Sequence, residues 1–242
     1  SKFYVAPTSE RVVEFSPTDV DMSNIAKVLS LAVDARATSV DAQDGYAQVG
    51  GRVNFRLAYL DKDGTPKGVD YNADFTARVD GEFVEGDSAW CDIVISESDV
   101  EAGDTLTLTA VLEGNVSAIK RDEIEVLVNA DDCYVQKQEI YVPSFIAQKS
   151  VVVPFDDEKN VGGEIESVLG LSSTVVTRQS LATDGGATAK LAVYSVVTYV
   201  EGGEIKQHTF EIPLEEEFNL DGVKEGDAIK LYTALKSSKI VL

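Results

Sequence analysis

The sequence predicts an all-β protein made of two tandem antiparallel β-domains, each a sandwich or open barrel with one short helical turn. Three observations support this fold class. Apolar and polar residues alternate in runs of strand length, turn-forming residues separate these runs, and the pattern recurs after 140 residues. Because 44% of the 242 residues are hydrophobic, the chain can build a core in each of two domains.

The internal repeat is clearest around one short segment. Residues 25–31 (IAKVLSL) match residues 165–171 (IESVLGL), and upstream residues 12–15 match 152–155. The same offset continues downstream at alternating positions, where Val53, Leu57 and Tyr59 match Val193, Val197 and Tyr199. We interpret the pattern as a duplication.

The two copies differ toward their ends. Past the matched strands the register slips, so that residues 101–106 are aligned with 224–229. The first copy then continues through an apolar alternation at 124–128. We therefore predict a complete first domain at 1–142 and a second domain at 143–242 that lacks its last strands.

Each copy is predicted to begin with one helical turn. Asp21 and Ser23 are capping residues, and apolar residues follow them at helical spacing. These apolar residues are Ile25, Val28 and Leu29 in the first copy and Ile165, Val168 and Leu169 in the second.

Strands and tight turns account for the rest. Residues 53–59 and 105–110 alternate apolar with polar side chains, which is the period of a half-buried strand. Asp63-Gly64 in the first copy and Gly202-Gly203 in the second can adopt positive φ, so each predicts a hairpin turn.

The shorter second copy predicts an open sheet edge at Ile240, Val241 and Leu242. Either the sequence is cut at this point, or a strand from another chain completes the sheet by β-augmentation. The candidate donor is the N-terminal segment that contains Glu10, Val12, Val13 and Phe15.

Composition limits the partners. The chain has 42 acidic and 21 basic residues and a net charge of −21, which repels nucleic acid and anionic lipid. It has no apolar run of about 18 residues, the length that a membrane-spanning helix needs. The N-terminus lacks the apolar core of a secretory signal. We expect protein partners, no nucleic acid and no membrane insertion.

We predict a non-enzymatic protein without cofactor or metal. His208 is the only histidine, and no nucleophile or phosphate-loop motif occurs. Cys91 is interpreted as a packing residue, and a bridge between Cys91 and Cys133 stays open. Residues 61–64 fit a hairpin better than a calcium loop. The acidic runs 156–158 and 215–217 leave weak Ca²⁺ binding or docking of a basic partner open.

The repeat unit resembles the SPOCS domain of spore-coat and spore-morphogenesis proteins of endospore-forming Firmicutes. The resemblance is carried by the Val-Leu segment, the glycine-flanked hairpin, the strand that ends in an aromatic residue and a late Gly-Asp. In the first copy these positions are Ile25, Val28, Leu29, Asp44, Gly45, Val49, Gly51, Val53, Leu57, Tyr59, Phe75, Gly103, Asp104 and Val126; in the second they are Ile165, Val168, Leu169, Asp184, Gly185, Val193, Val197, Tyr199, Phe210, Gly226 and Asp227. The resemblance implies a non-catalytic role in a bacterial spore coat, reached from the mother-cell cytoplasm; otherwise we expect the cell surface.

Three functions follow as hypotheses. The first is a structural scaffold that binds other coat or envelope proteins, or copies of itself. The second is the subunit of an extracellular filament in which each chain completes its neighbour's sheet. The third is a carbohydrate-binding module that uses Trp90 as a ligand platform.

Overall fold

The computed structural model describes residues 2–120, 144–236 and 238–241. The prediction of an all-β protein is confirmed, because the regular structure of these residues is antiparallel strand apart from one 3₁₀ turn. They form three open sheets and no closed barrel. No helix among them is long and apolar enough to cross a membrane.

Ten strands make up the three sheets. Sheet A contains β1 (Lys2–Pro7), β2 (Arg11–Phe15), β6 (Ser88–Ala102) and β7 (Leu106–Lys120). Sheet B contains β3 (Ile25–Gln43), β4 (Tyr46–Asp61) and β5 (Pro66–Asp80), with β4 in the middle. Sheet C contains β8 (Ser167–Thr183), β9 (Gly186–Glu201) and β10 (Glu204–Asn219), with β9 in the middle. We call β1–β7 the first repeat and the described residues from 144 onward the second repeat.

Sheets A and B pack face to face around apolar side chains of their central strands. The buried centre combines alternate residues of β4 and β7 with single residues of β2 and β5: Val53, Phe55, Leu57, Leu106, Leu108, Ala110, Leu112, Val13 and Phe75. Burying one large apolar side chain contributes about 1.5–3 kcal/mol, so this layer stabilises the first repeat. A second cluster closes one end of the sandwich through Ala47, Val49, Val116, Ala118 and Phe83.

The predicted hairpin turns are present. Gly64, Gly202 and Gly203 have backbone φ angles of 80°, 60° and 74°, which residues other than glycine rarely adopt. At the first of these turns, the carboxylate of Asp61 accepts hydrogen bonds from the amides of Asp63 and Thr65, at 3.0 and 2.8 Å.

The predicted helical turn is present in the first repeat, but it lies just before Ile25, and the assignment of Ile25, Val28 and Leu29 to it is wrong. The only helical element among the described residues is the 3₁₀ turn Met22–Asn24, where the carboxylate of Asp21 accepts a hydrogen bond from the amide of Ser23 at 2.9 Å. Ile25, Val28 and Leu29 lie in β3, where irregular pairing with β4 occurs between Ile25 and Lys27 and between Val28 and Ser30. Each irregularity shifts the inward side by one residue, so a strand acquires an apolar spacing of three.

The second repeat likewise has no helix at the predicted position. Val168 and Leu169 belong to β8, and Ile165 precedes it in irregular chain. The pairing of β8 with β9 is irregular between Val168 and Gly170, near the counterpart of the irregular pairing in β3. The same physical cause therefore explains both errors.

One hydrogen-bond network recurs at an offset of 140 residues. The amide of Glu85 binds the carboxylate of Asp44 at 3.1 Å, and the amide of Glu225 binds that of Asp184 at 3.2 Å. The following turns are closed by Asp87 and Asp227, and each contains a glycine with positive φ. The counterpart of residues 224–227 is thus 84–87, not the 101–104 expected from the slipped register.

One cross-strand pair fills the same space with different side chains in the two repeats. Gly51 lies opposite Phe75 in sheet B, and a Cβ on Gly51 would collide with the Phe75 ring and approach the Arg36 carbonyl oxygen to 2.7 Å. In sheet C the pair at the same place is Leu191 and Leu214. The ring fills the space above the glycine in one repeat, and two leucines share that space in the other.

We expect Gly51→Ala to lower the free energy of unfolding by about 1–3 kcal/mol, because overpacking forces the aromatic ring and the backbone apart. The double variant Gly51→Leu/Phe75→Leu should be more stable than Gly51→Leu alone. Urea unfolding followed by circular dichroism measures both effects. Gly170→Ala is the matched control, because a Cβ there meets no atom within 4 Å. Equal stability of Gly51→Leu and the double variant would contradict this packing account.

Candidate functional site

The organisation of sheet A depends on β7. It pairs with β6 along one edge, while β1 and β2 pair with successive parts of its other edge. Neither β1 nor β2 pairs with any other described strand. The backbone hydrogen bonds of three strands are therefore satisfied by this one strand.

The second repeat has segments that correspond to β2 and β6. Residues 144–161 include the sequence matched to β2, and residues 228–241 follow the recurring turn as β6 follows it in the first repeat. Both segments are irregular where described, and no backbone–backbone hydrogen bond joins residues 146–161 or 228–241 to another described residue. An additional strand could pair with backbone groups of this kind.

The second of these, which we call the C-terminal segment (residues 228–236 and 238–241), has the side-chain pattern of a strand. Residues 229, 231, 233 and 235 are half-buried and alternate with exposed neighbours. Lys230 and Tyr232 are among the exposed neighbours, so they lie on the side of the segment opposite to its half-buried residues. The segment is thus extended and one-sided without being part of a sheet.

The C-terminal segment lies on the outside of the first repeat. The ring of Tyr232 is 4.8 Å from that of Trp90, and Trp90 is 5.7 Å from Phe3, measured between centroids. Phe3 and Trp90 lie opposite Ile119 and Ser117 of β7, on the face of sheet A turned away from the core. We call Phe3, Trp90 and Tyr232 the aromatic cluster.

A lysine of the segment completes this contact. The Lys230 ammonium is 4.5 Å from the centroid of Phe3, 5.0 Å from that of Tyr232 and 6.0 Å from that of Trp90. A cation near the face of an aromatic ring is attracted by the ring quadrupole. Lys230 and Trp90 occupy equivalent positions in the two repeats.

Farther along, the C-terminal segment reaches sheet B. Arg36 donates a hydrogen bond to the Leu235 carbonyl oxygen at 3.4 Å, and Arg56 donates one to the Ser238 hydroxyl at 3.3 Å. Arg56 alternates with the buried Phe55, so it points outward from sheet B. Because β3 and β6 are neighbours, the segment crosses from the outer face of sheet A to that of sheet B.

Two buried donors beside these contacts have no partner among the described residues. The indole nitrogen of Trp90 and Nε of Arg36 are the buried side-chain nitrogens that have no hydrogen-bond partner among the described residues. Both residues contact the C-terminal segment, through Tyr232 and Leu235. A buried donor without a partner costs about 1–3 kcal/mol. The docked position is therefore stabilised by some contacts and destabilised by others.

The structure gives Trp90 a different setting from the predicted sugar platform. Its ring lies between Phe3 and Tyr232, with its nitrogen buried. A sugar would need the open ring face that these neighbours occupy. Glycan binding at Trp90 stays a prediction and would require the C-terminal segment to move.

The predicted donor segment is used within its own chain. Glu10 precedes β2, Val12 is exposed on it, Val13 is buried in the core and the Phe15 ring lies 5.6 Å from Tyr71. Donation to a neighbour would uncover the core around Val13. Donation of this segment to another chain stays a prediction.

The predicted open edge lies within the C-terminal segment. Ile240 is half-buried and Val241 is 81% exposed, whereas Leu242 lies outside the described residues. The backbone that has no described backbone partner extends farther than predicted, because it begins near residue 228 and a second stretch covers residues 146–161. Sequence reasoning missed this second segment, although its match to β2 was visible.

The other candidate side chains make ring contacts or ion pairs with neighbouring residues. His208 is on β10, with its ring 6.1 Å from Phe210. Asp157 pairs with Lys159 at 2.6 Å and Glu215 with Lys190 at 3.3 Å. Within the described ranges, no group of three or more His, Cys, Asp or Glu side chains is close enough to hold a metal ion.

Cys91 is a free thiol that packs against the Val116 and Ala118 end of the core. Burial, with a smaller contribution from the negative charge of Asp92, raises the pKa of the Cys91 thiol to about 11. A thiol with a raised pKa is a poor nucleophile at neutral pH. Cys133, which the sequence leaves open as a disulfide partner of Cys91, lies outside the described residues.

No family model, curated protein or solved structure matches the chain. The resemblance to the SPOCS domain therefore stays an expectation of the sequence.

We expect Cys91 to react slowly with iodoacetamide. In a Cys133→Ser variant at pH 8, Cys91 should be alkylated about a hundredfold more slowly in the folded protein than in guanidinium, because little thiolate forms. Mass spectrometry of quenched samples measures the rates. Alkylation at similar rates in both states would show that the thiol is not protected.

Proposed function

We propose that this protein is a non-enzymatic structural protein that assembles by accepting a strand from another protein chain at its second repeat. The observation that carries the proposal is that residues 146–161 and the C-terminal segment are irregular and have no backbone–backbone hydrogen bond to another described residue. In the first repeat, the corresponding segments are strands because β7 pairs with them.

The chemistry of strand addition supports this proposal. An incoming strand would gain backbone hydrogen bonds on both sides, because residues 146–161 and the C-terminal segment correspond to neighbours of β7 and have no backbone partner among the described residues. The strand would need alternating apolar side chains like Leu106, Leu108 and Ala110, which face the core in the first repeat. The partner is another copy of this chain or another coat or envelope protein.

The biological setting rests on the resemblance of the repeat unit alone. It favours the assembly of a bacterial spore coat, and an extracellular filament is the alternative that uses the same strand addition. The net charge of −21 favours protein partners with basic or neutral surfaces. Carbohydrate binding is less well supported, because the ring of Trp90 is covered.

We expect a synthetic peptide of residues 104–120, which contains β7, to bind the intact chain and to inhibit its self-association. The peptide offers the strand that pairs with the corresponding segments in the first repeat. Fluorescence anisotropy of a labelled peptide measures binding, and sedimentation velocity and electron microscopy follow assembly. A peptide with Leu108→Asp and Ala110→Asp is the control, because its core-facing side is charged.

Proline variants test whether the C-terminal segment receives the strand. Adjacent amides of a strand point to opposite edges, so either Thr233→Pro or Ala234→Pro must remove a donor from the new ladder. One of the two should reduce peptide binding and assembly at least tenfold, whereas Thr233→Ala should not. Full binding by both proline variants, or a chain that stays monomeric and recovers no partner, would refute the proposal.

A further inference from the structure

We infer that the surface of β3 around Leu29 docks onto a repeat of the same kind in a different protein, at a place where that repeat carries a glycine. The inference is independent of strand addition, because it uses neither the C-terminal segment nor residues 146–161. It gives a role to the segment around which the internal repeat is clearest, residues 25–31 and 165–171.

This segment forms the same irregularity in both repeats. In β3, the residues on either side of Leu29 pair with consecutive residues of β4, so Leu29 is the extra residue of a bulge. Leu169 is the extra residue of β8 in its pairing with β9 in the same way. Because the two leucines have the same place in the strand pairing, a difference in their exposure reflects what lies against them.

The leucine of the second repeat is covered, and that of the first repeat is not. Leu169 is 5% exposed, whereas Leu29 is 36% exposed. Residues 27 and 30 beside Leu29 are also exposed, and the matched residues 167 and 170 are half-buried. The bulge of the second repeat is therefore in contact with another part of the chain.

That part is β5 of the first repeat. A Cβ on Gly68 would lie 2.5 Å from the carbonyl oxygen of Leu169 and 2.8 Å from its Cα, so only a glycine permits this approach. Gly68 lies opposite Ala58 of β4, which is 8% exposed. We call Gly68 and Ala58 the glycine face. The second repeat thus places its bulge on the glycine face of the first repeat.

The second repeat has no glycine face of its own. Thr198 and Gln207 form the equivalent pair, and the side-chain amide of Gln207 donates a hydrogen bond to the Thr198 hydroxyl at 3.2 Å. A neighbouring strand cannot come as close to these side chains as β8 comes to Gly68. The glycine face of another copy is covered by that copy's own Leu169. The partner that fits Leu29 is therefore a different protein whose repeat has an uncovered glycine face.

The test mixes a chain that offers only the leucine with a chain that offers only the glycine face. The natural chain is the first. The variant Leu29→Asp/Thr198→Ala/Gln207→Gly is the second, because its second repeat gains a glycine opposite an alanine while its own leucine is removed. Sedimentation velocity of the labelled variant measures the complex at about 0.15 M salt, which screens repulsion between two acidic chains.

We expect the natural chain to bind this variant. Leu29→Asp in place of the natural chain should bind at least about tenfold more weakly, because a charge replaces the leucine that the contact buries. Val94→Asp is the matched control and should bind like the natural chain, because Val94 is 60% exposed on β6, away from the bulge.

A second variant, Leu29→Asp/Leu169→Asp, presents the natural glycine face, because a charge at Leu169 releases β8 from Gly68. Circular dichroism verifies that each variant is folded. A complex that depends on Leu29 with either glycine-face variant supports the inference. Absence of a complex with both, or equal binding by the natural chain and Leu29→Asp, would overturn it. Strand addition is measured separately with the 104–120 peptide, so the two proposals fail independently.

Discussion

The backbone hydrogen bonds of β7 are the constraint on which the first repeat depends. A strand is stable only when its amide and carbonyl groups are paired, and β1, β2 and β6 all pair with this one strand. One face of β7 also supplies the side chains of Leu106, Leu108, Ala110 and Leu112 to the core. The same strand therefore holds sheet A together and attaches it to sheet B. Sheet B has its own central strand, β4, and does not need β7 for its backbone pairing.

The second repeat keeps the part of the fold that does not depend on β7. Sheet C keeps the strand order of sheet B and the turn closed by Asp184 and Asp227. Residues 152–155 match β2 in sequence but are irregular. β-Propensity depends on neighbouring strands, and no described strand pairs with these residues.

The sequence predicted the features whose causes are local. Alternation identified β4 and β7, and glycine pairs identified the hairpins, because side-chain period and positive φ are properties of a few adjacent residues. The segment around Ile25 and Val28 was misassigned because irregular strand pairing produced a helix-like spacing. The contacts of Lys230 with Phe3 and Trp90 join positions far apart in the chain, and no local pattern signals them. The candidate site was therefore only partly visible, as an unpaired edge at the end of the chain.

The magnitudes of the interactions limit how such a site can work. The cation–π contacts of Lys230 contribute about 0.5–2 kcal/mol, and each unpartnered buried donor, on Trp90 and Arg36, costs about 1–3 kcal/mol. A backbone hydrogen bond contributes about 0.5–1.5 kcal/mol net, so a ladder of several bonds to an incoming strand outweighs these contacts. Lys230 and Tyr232 lie on the exposed side of the C-terminal segment, and residues 229, 231, 233 and 235 form its half-buried side. Contact with the aromatic cluster and burial of the apolar side therefore use opposite sides of the segment, and strand pairing along its edge can add to both.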